Sequence, residues 1–197
     1  MEITTSMIKE LREATAAGVL DCKKALEASG GDVEKAKAYL REKGLAAAAK
    51  KADRAAEEGL IEAYVHAGSR VGALIELDCE TDFVARTEAF KELAHDLAMQ
   101  IVATNPLCLT PEDIPPDVLE QEKDKYVTQA RDMGKPDRIV EKIVEGKLQK
   151  YYQEVCLTKQ PFIKDDELTV QDVLTQAIAK MGENIVVRRF ARFELGD

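Results

Sequence analysis

The sequence predicts an α+β protein: an N-terminal three-helix bundle, a helical connector, and a body in which a three-stranded antiparallel sheet packs with helices. Three observations predict it. Residues 4–44 carry apolar side chains at three- and four-residue spacing, in three short runs separated by glycines. Three later runs, 59–66, 70–78 and 185–195, alternate with a period of two, and the first two flank the turn Ala67-Gly68-Ser69. Long stretches after residue 86 return to helical spacing. The expected organisation is a bundle over 1–44, a connector over 45–58 and an α+β core over 59–197.

In the bundle, Thr4 or Thr5 caps the first helix, and Met7, Ile8, Leu11 and Ala14 form its apolar face. Gly18 breaks it. The second helix runs from Leu20 to Ala28 and ends at Ser29-Gly30-Gly31. Asp32 caps the third, which buries Val33, Ala36 and Leu40 and stops at Gly44. The connector is rich in alanine, so it is expected to be helical, and its small side chains offer little core.

The body opens with the hairpin 59–78. A turn over Thr81–Val84 follows, then a helix from Thr87, the capping residue, to about Ala103. Two helices are expected over 115–133 and 137–155, separated by Gly134-Lys135-Pro136. That tripeptide lacks the glycine spacing of a phosphate loop. Residues 160–165 read as extended. The last helix begins at Thr169 and ends at Gly182, with Val170, Val173, Leu174, Ala177, Ile178 and Met181 on one face. In the closing strand, Ile185, Val187, Arg189, Ala191, Phe193 and Leu195 form the mostly apolar face expected to pack inward.

Charge and cysteine usage narrow the function classes. Residues 1–58 hold 11 Lys+Arg and 11 Asp+Glu, and the remainder holds 17 and 26, so the net charge of −9 lies entirely beyond the connector. An acidic body without a basic stripe argues against direct nucleic-acid binding, which needs clustered Lys and Arg. Cys22, Cys79, Cys108 and Cys156 are widely spaced, which fits neither zinc ligation nor a disulfide framework. Buried free thiols in a reducing cytoplasm are expected. Met1-Glu2-Ile3-Thr4 has no signal-peptide pattern, and no run of about 18 apolar residues suggests a membrane span.

No catalytic constellation is evident. His66 and His95 are the only histidines and have no Ser or Cys arrangement around them. Asp78, Glu80 and Asp82 recur at period two, which is a polar strand face before it is a cation site. No cofactor is expected.

The most informative stretch is Glu76-Leu77-Asp78-Cys79-Glu80-Thr81-Asp82-Phe83-Val84-Ala85-Arg86. Asp82-Phe83 sits in its turn, and an aromatic ring there either folds back into the core or waits for a partner. The stretch resembles the second signature of the bacterial elongation factor Ts family, with Asp78 where the family usually has Asn. Leu11-Arg12-Glu13-Ala14-Thr15-Ala16-Ala17-Gly18-Val19-Leu20-Asp21-Cys22-Lys23-Lys24-Ala25-Leu26 is similar to the first signature, with Ala16 where Gly is usual. The helix pair around Gly134-Lys135-Pro136, Gln160-Pro161-Phe162 and the run from Gly182 to Phe193 extend the resemblance to nearly the whole chain.

That resemblance implies a short form with a single core subdomain and an N-terminal bundle of the ubiquitin-associated type. It implies guanine nucleotide exchange on elongation factor Tu in translation elongation. Thr81, Asp82, Phe83 and Val84 would intrude near the partner's Mg²⁺ site: Phe83 as wedge, Asp82 as a competing polar contact, Thr81 and Val84 shaping the turn. Arg12, Gly18, Val19, Leu20, Asp21, Lys23 and Lys24 would grip the partner's nucleotide domain. A homodimer formed through the sheet or the C-terminal strand is expected, since one core is a small footing. Two other classes stay open: an adaptor that only binds, with Phe83 structural, and a metal-dependent enzyme.

Overall fold

The computed structural model describes residues 3–15 and 17–196. The elements in order are α1 (Thr5–Thr15), α2 (Val19–Ala28), α3 (Val33–Ala49), β1 (Glu58–Val65), β2 (Val71–Cys79), α4 (Asp82–Ala85), α5 (Glu88–Thr104), α6 (Pro116–Asp132), α7 (Asp137–Val155), β3 (Pro161–Phe162), β4 (Asp165–Thr169), α8 (Val170–Met181) and β5 (Ile185–Glu194). Strands β1, β2 and β5 form a sheet in the order β1-β2-β5, and β3 pairs with β4. The three-stranded sheet is the predicted one. The chain divides into two compact units: Met1–Glu62 with Ile75–Asp96 and Asp172–Arg188, and Ala63–Leu74 with Leu97–Gln171 and Arg189–Asp197.

The first unit contains the three-helix bundle. Leu11, Cys22, Ala25, Leu26 and Ala36 are fully buried, with Ile3, Met7, Ile8, Ala17, Val33 and Leu40 packed around them. The predicted caps form. Thr4 Oγ1 accepts from the Met7 amide at 3.3 Å, and Asp32 accepts from the Lys35 amide at 3.1 Å. Gly30 and Gly31 make the tight turn before Asp32 with φ of 62° and 85°, values that favour glycine.

Two expectations are corrected here. Helix α3 does not stop at Gly44 but continues to Ala49. A glycine inside a helix costs only about 1 kcal/mol, and the following Ala46–Ala49 favour continuation. The Arg41 guanidinium, three residues before Gly44, pairs with the buried Asp172 carboxylate of α8 at 2.9 Å. The rest of the expected helical connector is not helical: 50–54 forms turns and 55–57 has no regular structure. Polar ties take over there. Lys51 Nζ donates to the Ile178 carbonyl at 3.2 Å, and Ala56 is buried.

Gly59 explains how β1 starts. Its φ is 151°, and a Cβ built there would lie 2.2 Å from the Leu77 carbonyl oxygen and 2.8 Å from Asp78 Cα. Only glycine lets the two backbones approach so closely, just before the 80–86 segment. Ile75, Leu77 and Cys79 are buried on the core side of β2, as are Phe90, Leu93 and Ala94 along α5.

In the second unit, α6 and α7 form a helical hairpin across Gly134, whose φ is 68°. The segment predicted merely as extended turns back on itself as the antiparallel β3–β4 pair. Buried glutamines cause this. Gln100 Nε2 donates to Gln160 Oε1 at 3.2 Å and to the Pro161 carbonyl at 3.1 Å, while Gln100 Oε1 accepts from the Ile163 amide at 2.8 Å. A buried amide has to be satisfied, so the turn is shaped around it. Cys108 is half-buried rather than buried, and its thiol lies 3.5 Å from that of Cys156.

The closing strand departs from its predicted facing. Ile185 and Val187 are buried, but Ala191, Phe193 and Leu195 on the same alternation are exposed. The start of the strand is covered within the first unit, where Asn184 Nδ2 donates to the Arg54 carbonyl at 2.8 Å and Arg188 Nη2 to that of Ala56 at 3.0 Å. Alternation marks which residues share a face, and a neighbouring segment decides how far along the strand that face is covered.

Candidate functional site

Thr81 to Ala85 is not a bare turn, as expected from sequence, but a capped single helical turn. Thr81 has extended backbone, and its Oγ1 accepts from the Val84 amide at 3.4 Å, which starts α4. Asp82 follows in the first turn, where a carboxylate suits the positive end of the helix. One turn is far too short to persist alone in water, so neighbouring residues have to hold it.

Glu183 supplies that hold. Its Oε2 accepts from the Glu80 amide at 3.1 Å and the Thr81 amide at 3.0 Å, and its Oε1 accepts from the Thr81 hydroxyl at 2.6 Å. Glu80 returns the contact: its Oε1 accepts from the Asn184 amide at 2.6 Å and from Arg54 Nη1 at 3.4 Å. The Cys79 thiol donates to the Thr81 carbonyl at 3.1 Å. Burial and then the Glu183 charge push that thiol's pKa up, so it stays protonated and able to donate.

On this base α4 presents Phe83, which is 79% exposed. Thr81, Asp82 and Val84 are half-buried. Asp82 Oδ2 pairs with Arg86 Nη2 at 2.8 Å, four residues on. The predicted role of Asp82 as a contact for a partner therefore requires it to exchange an existing ion pair. Such an exposed pair is worth little, so the exchange is inexpensive.

The residues of the N-terminal signature sit where α1 gives way to α2. Gly18 precedes α2 with φ −63° and ψ 148°, a conformation open to any residue, so its lack of a side chain is not a backbone requirement. Val19 and Leu20 form the first turn of α2 and are 52% and 73% exposed. They are not core. Asp21 accepts from Lys43 at 2.5 Å and Lys23 pairs with Glu27 at 3.8 Å, while Arg12 and Lys24 are exposed. Ala16 lies outside the described residues. Both groups of predicted residues belong to the first unit.

The three carboxylates at period two take separate partners. Asp78, which is buried, accepts from Arg188 Nε at 2.7 Å, Glu80 binds the Asn184 amide, and Asp82 pairs with Arg86. Among the described residues no group of three His, Cys, Asp or Glu is placed to hold a metal ion. Arg188 also accounts for a carboxylate at position 78, since it neutralises the charge that an asparagine would lack.

Comparison with known proteins agrees with the two signatures. The family model described as Elongation factor TS matches residues 2–197. The Elongation factor Ts of Heliobacterium modesticaldum is 57% identical over 195 residues, covering 99% of this chain and 91% of the relative. That of Carboxydothermus hydrogenoformans is 58% identical over 195 residues, covering 99% and 90%. That of Syntrophus aciditrophicus is 54% identical over 197 residues, covering 100% and 98%.

The chain belongs to the elongation factor Ts family.

Within that family's frame, Phe83 and the Val19–Leu20 pair are its exposed apolar points in the two signatures, and Glu183, Glu80, Asn184 and Arg54 form the support beneath one of them. Sequence reasoning missed Glu183 as the residue that fastens this turn. The available signal was an acidic residue placed directly after the helix-ending Gly182, whose φ is 83°. No helix among the described residues is long and apolar enough to cross a membrane.

Proposed function

We propose that this protein is a guanine nucleotide exchange factor for elongation factor Tu, acting in the cytoplasm during translation elongation. It makes and breaks no covalent bond. A GTPase holds its nucleotide through a phosphate-cradling loop, a lysine and Mg²⁺. The factor binds the nucleotide-free partner more tightly than the loaded one, and by reciprocity each expels the other. Phe83 is the wedge that fits the open partner, and Asp82 competes in the neighbourhood of its Mg²⁺. Val19, Leu20 and the charged residues Arg12, Asp21, Lys23 and Lys24 grip the partner's nucleotide domain, with Gly18 keeping the approach to them unobstructed.

The observation that carries this reading is an exposed Phe83 on a helix turn fastened from below. A core-filling phenylalanine would be buried. Burying one such ring contributes about 1.5–3 kcal/mol, which is roughly a 10- to 150-fold ratio of affinities. One ring supplies a useful part of the effect and the bundle contacts supply the rest.

In this reading 1–44 is the docking bundle, 45–58 the connector and 59–197 the core and dimerisation region. The chain acts as a homodimer through the sheet. Support comes from the second unit, where Val65, Leu74, Phe193 and Leu195 are 63%, 44%, 68% and 61% exposed. The His66 amide donates to the Val71 carbonyl, which places Ala63 opposite Leu74 and Val65 opposite Gly72 on one face. An apolar sheet face of this kind marks an association site.

The decisive experiment is release of a fluorescent GDP from elongation factor Tu, with wild type, Phe83→Ala and Asp82→Ala. The wild type accelerates release and both variants do so less. Absence of acceleration by the wild type leaves a binding adaptor and overturns the exchange reading. Acceleration that survives both substitutions moves its cause to the bundle.

A further inference from the structure

We propose that Glu183 is a positioning residue for nucleotide exchange, acting through Thr81 to hold the one-turn helix that aims Phe83. The inference rests on the exchange reading above and goes beyond it by placing a determinant of the wedge about a hundred residues away in the chain.

The geometry is specific. A single carboxylate receives two consecutive backbone amides, of Glu80 and Thr81, together with the Thr81 hydroxyl. Those groups are the lead-in to α4. The hydroxyl that donates to Glu183 also accepts from the Val84 amide, so one oxygen joins the anchor to the helix cap. Hydrogen bonds to an ionised acceptor are the stronger kind. Glu183 is half-buried, and it is fixed in turn by its neighbour Asn184, whose amide is bound by Glu80 and whose side chain donates to the Arg54 carbonyl. The contacts cross: each acidic residue accepts the backbone of the segment that carries the other.

A wedge has to be rigid to work. A mobile Phe83 would lose conformational freedom on entering the partner, and that loss would be subtracted from the stabilisation of the open state. Preorganisation by Glu183 removes the subtraction. It affects how well the bound factor opens the partner, not how firmly the bundle grips it. The signature is therefore a lower maximal release rate with an unchanged half-saturating concentration of factor.

The test measures fluorescent GDP release from elongation factor Tu over a range of factor concentrations. It uses the full chain as wild type, Glu183→Gln, Phe83→Ala and the double variant, each with its melting curve. Glutamine has the same shape but is neutral, with one acceptor oxygen where the carboxylate has two. Loss of charge-assisted bonds at this anchor lowers the maximal rate roughly tenfold. In the Phe83→Ala background the same substitution has no further effect, because the ring it aims is gone. Thr81→Val, which deletes the hydroxyl and with it both the Glu183 contact and the α4 cap, reads the same anchor if Glu183→Gln fails to fold.

Equal losses in both backgrounds overturn the inference, since Glu183 then acts independently of Phe83. So does a change confined to the half-saturating concentration. Normal exchange by Glu183→Gln and Thr81→Val, beside defective Phe83→Ala, sinks this inference and leaves the wedge standing. A wild type that does not accelerate release sinks the exchange reading and this inference with it.

Discussion

At the level of a single residue, the proposed role of Phe83 can be tested apart from stability. The residue is 79% exposed, so Phe83→Ala removes little that folding buries. Substitutions at such surface positions usually stay within about 0.5 kcal/mol. The urea midpoint of the variant should match that of wild type while its exchange activity falls. A large loss of stability would mean that the ring packs in the fold. The thiols give a second prediction at this scale. Burial, and then the hydrogen bond its thiol shares with Cys108, push Cys156 up to about 12. A thiol raised in the folded state stabilises the fold fully below the ordinary thiol value of about 8.5. That contribution is lost as pH climbs toward about 12. Cys156→Ala should therefore lose less stability than wild type between neutral and strongly alkaline pH, as read by urea unfolding. Equal losses would remove Cys156 as a contributor.

At the level of elements, local signals were read well where they act locally. Thr4, Asp32 and Thr87 each cap a helix as their positions suggested. Asp32 allows a pH test. Its pKa is lowered first by the Lys35 backbone hydrogen bond and then by the Lys35 side chain. A lowered carboxyl stabilises the fold above the ordinary carboxylate value of about 3.9, and the contribution disappears as pH falls through the folded-state value. The Asp32→Asn variant keeps a side-chain oxygen to cap α3 but has no carboxyl to titrate. Circular dichroism should show wild type losing bundle helicity at acid pH more steeply than the variant, and parallel acid limbs would contradict the cap assignment. Elsewhere the local signal was overridden. Gly44 reads as a stop, yet α3 passes through it to Ala49. Residues 160–165 read as extended, yet they fold back because Gln100 needs partners.

The whole molecule carries the dimer prediction. Phe193→Asp or Leu195→Asp places a charge on the exposed apolar face of β5. Sedimentation at micromolar concentration should give twice the chain mass for wild type and a single chain for either variant. A wild type that sediments as one chain would contradict the homodimer. Neither substitution touches the first unit, so monomers that still release GDP would show that one copy carries both signatures.

Taken alone, the sequence determined the α+β class, the helix caps, the hairpin and both family signatures. Each underlying signal is local: a period, a capping residue or a motif. The tertiary structure decided what depends on distant groups. It determined that the 81–85 turn is a helix and that Phe83 stands out from it. It fastened Thr81 to Glu183, paired Asp78 with Arg188, and left Ala191 and Phe193 on one face of β5 exposed. It also drew each compact unit from three separate stretches of chain. Periodicity assigns a residue to a face, but only the packing of remote segments decides whether that face is covered and which carboxylate finds which donor.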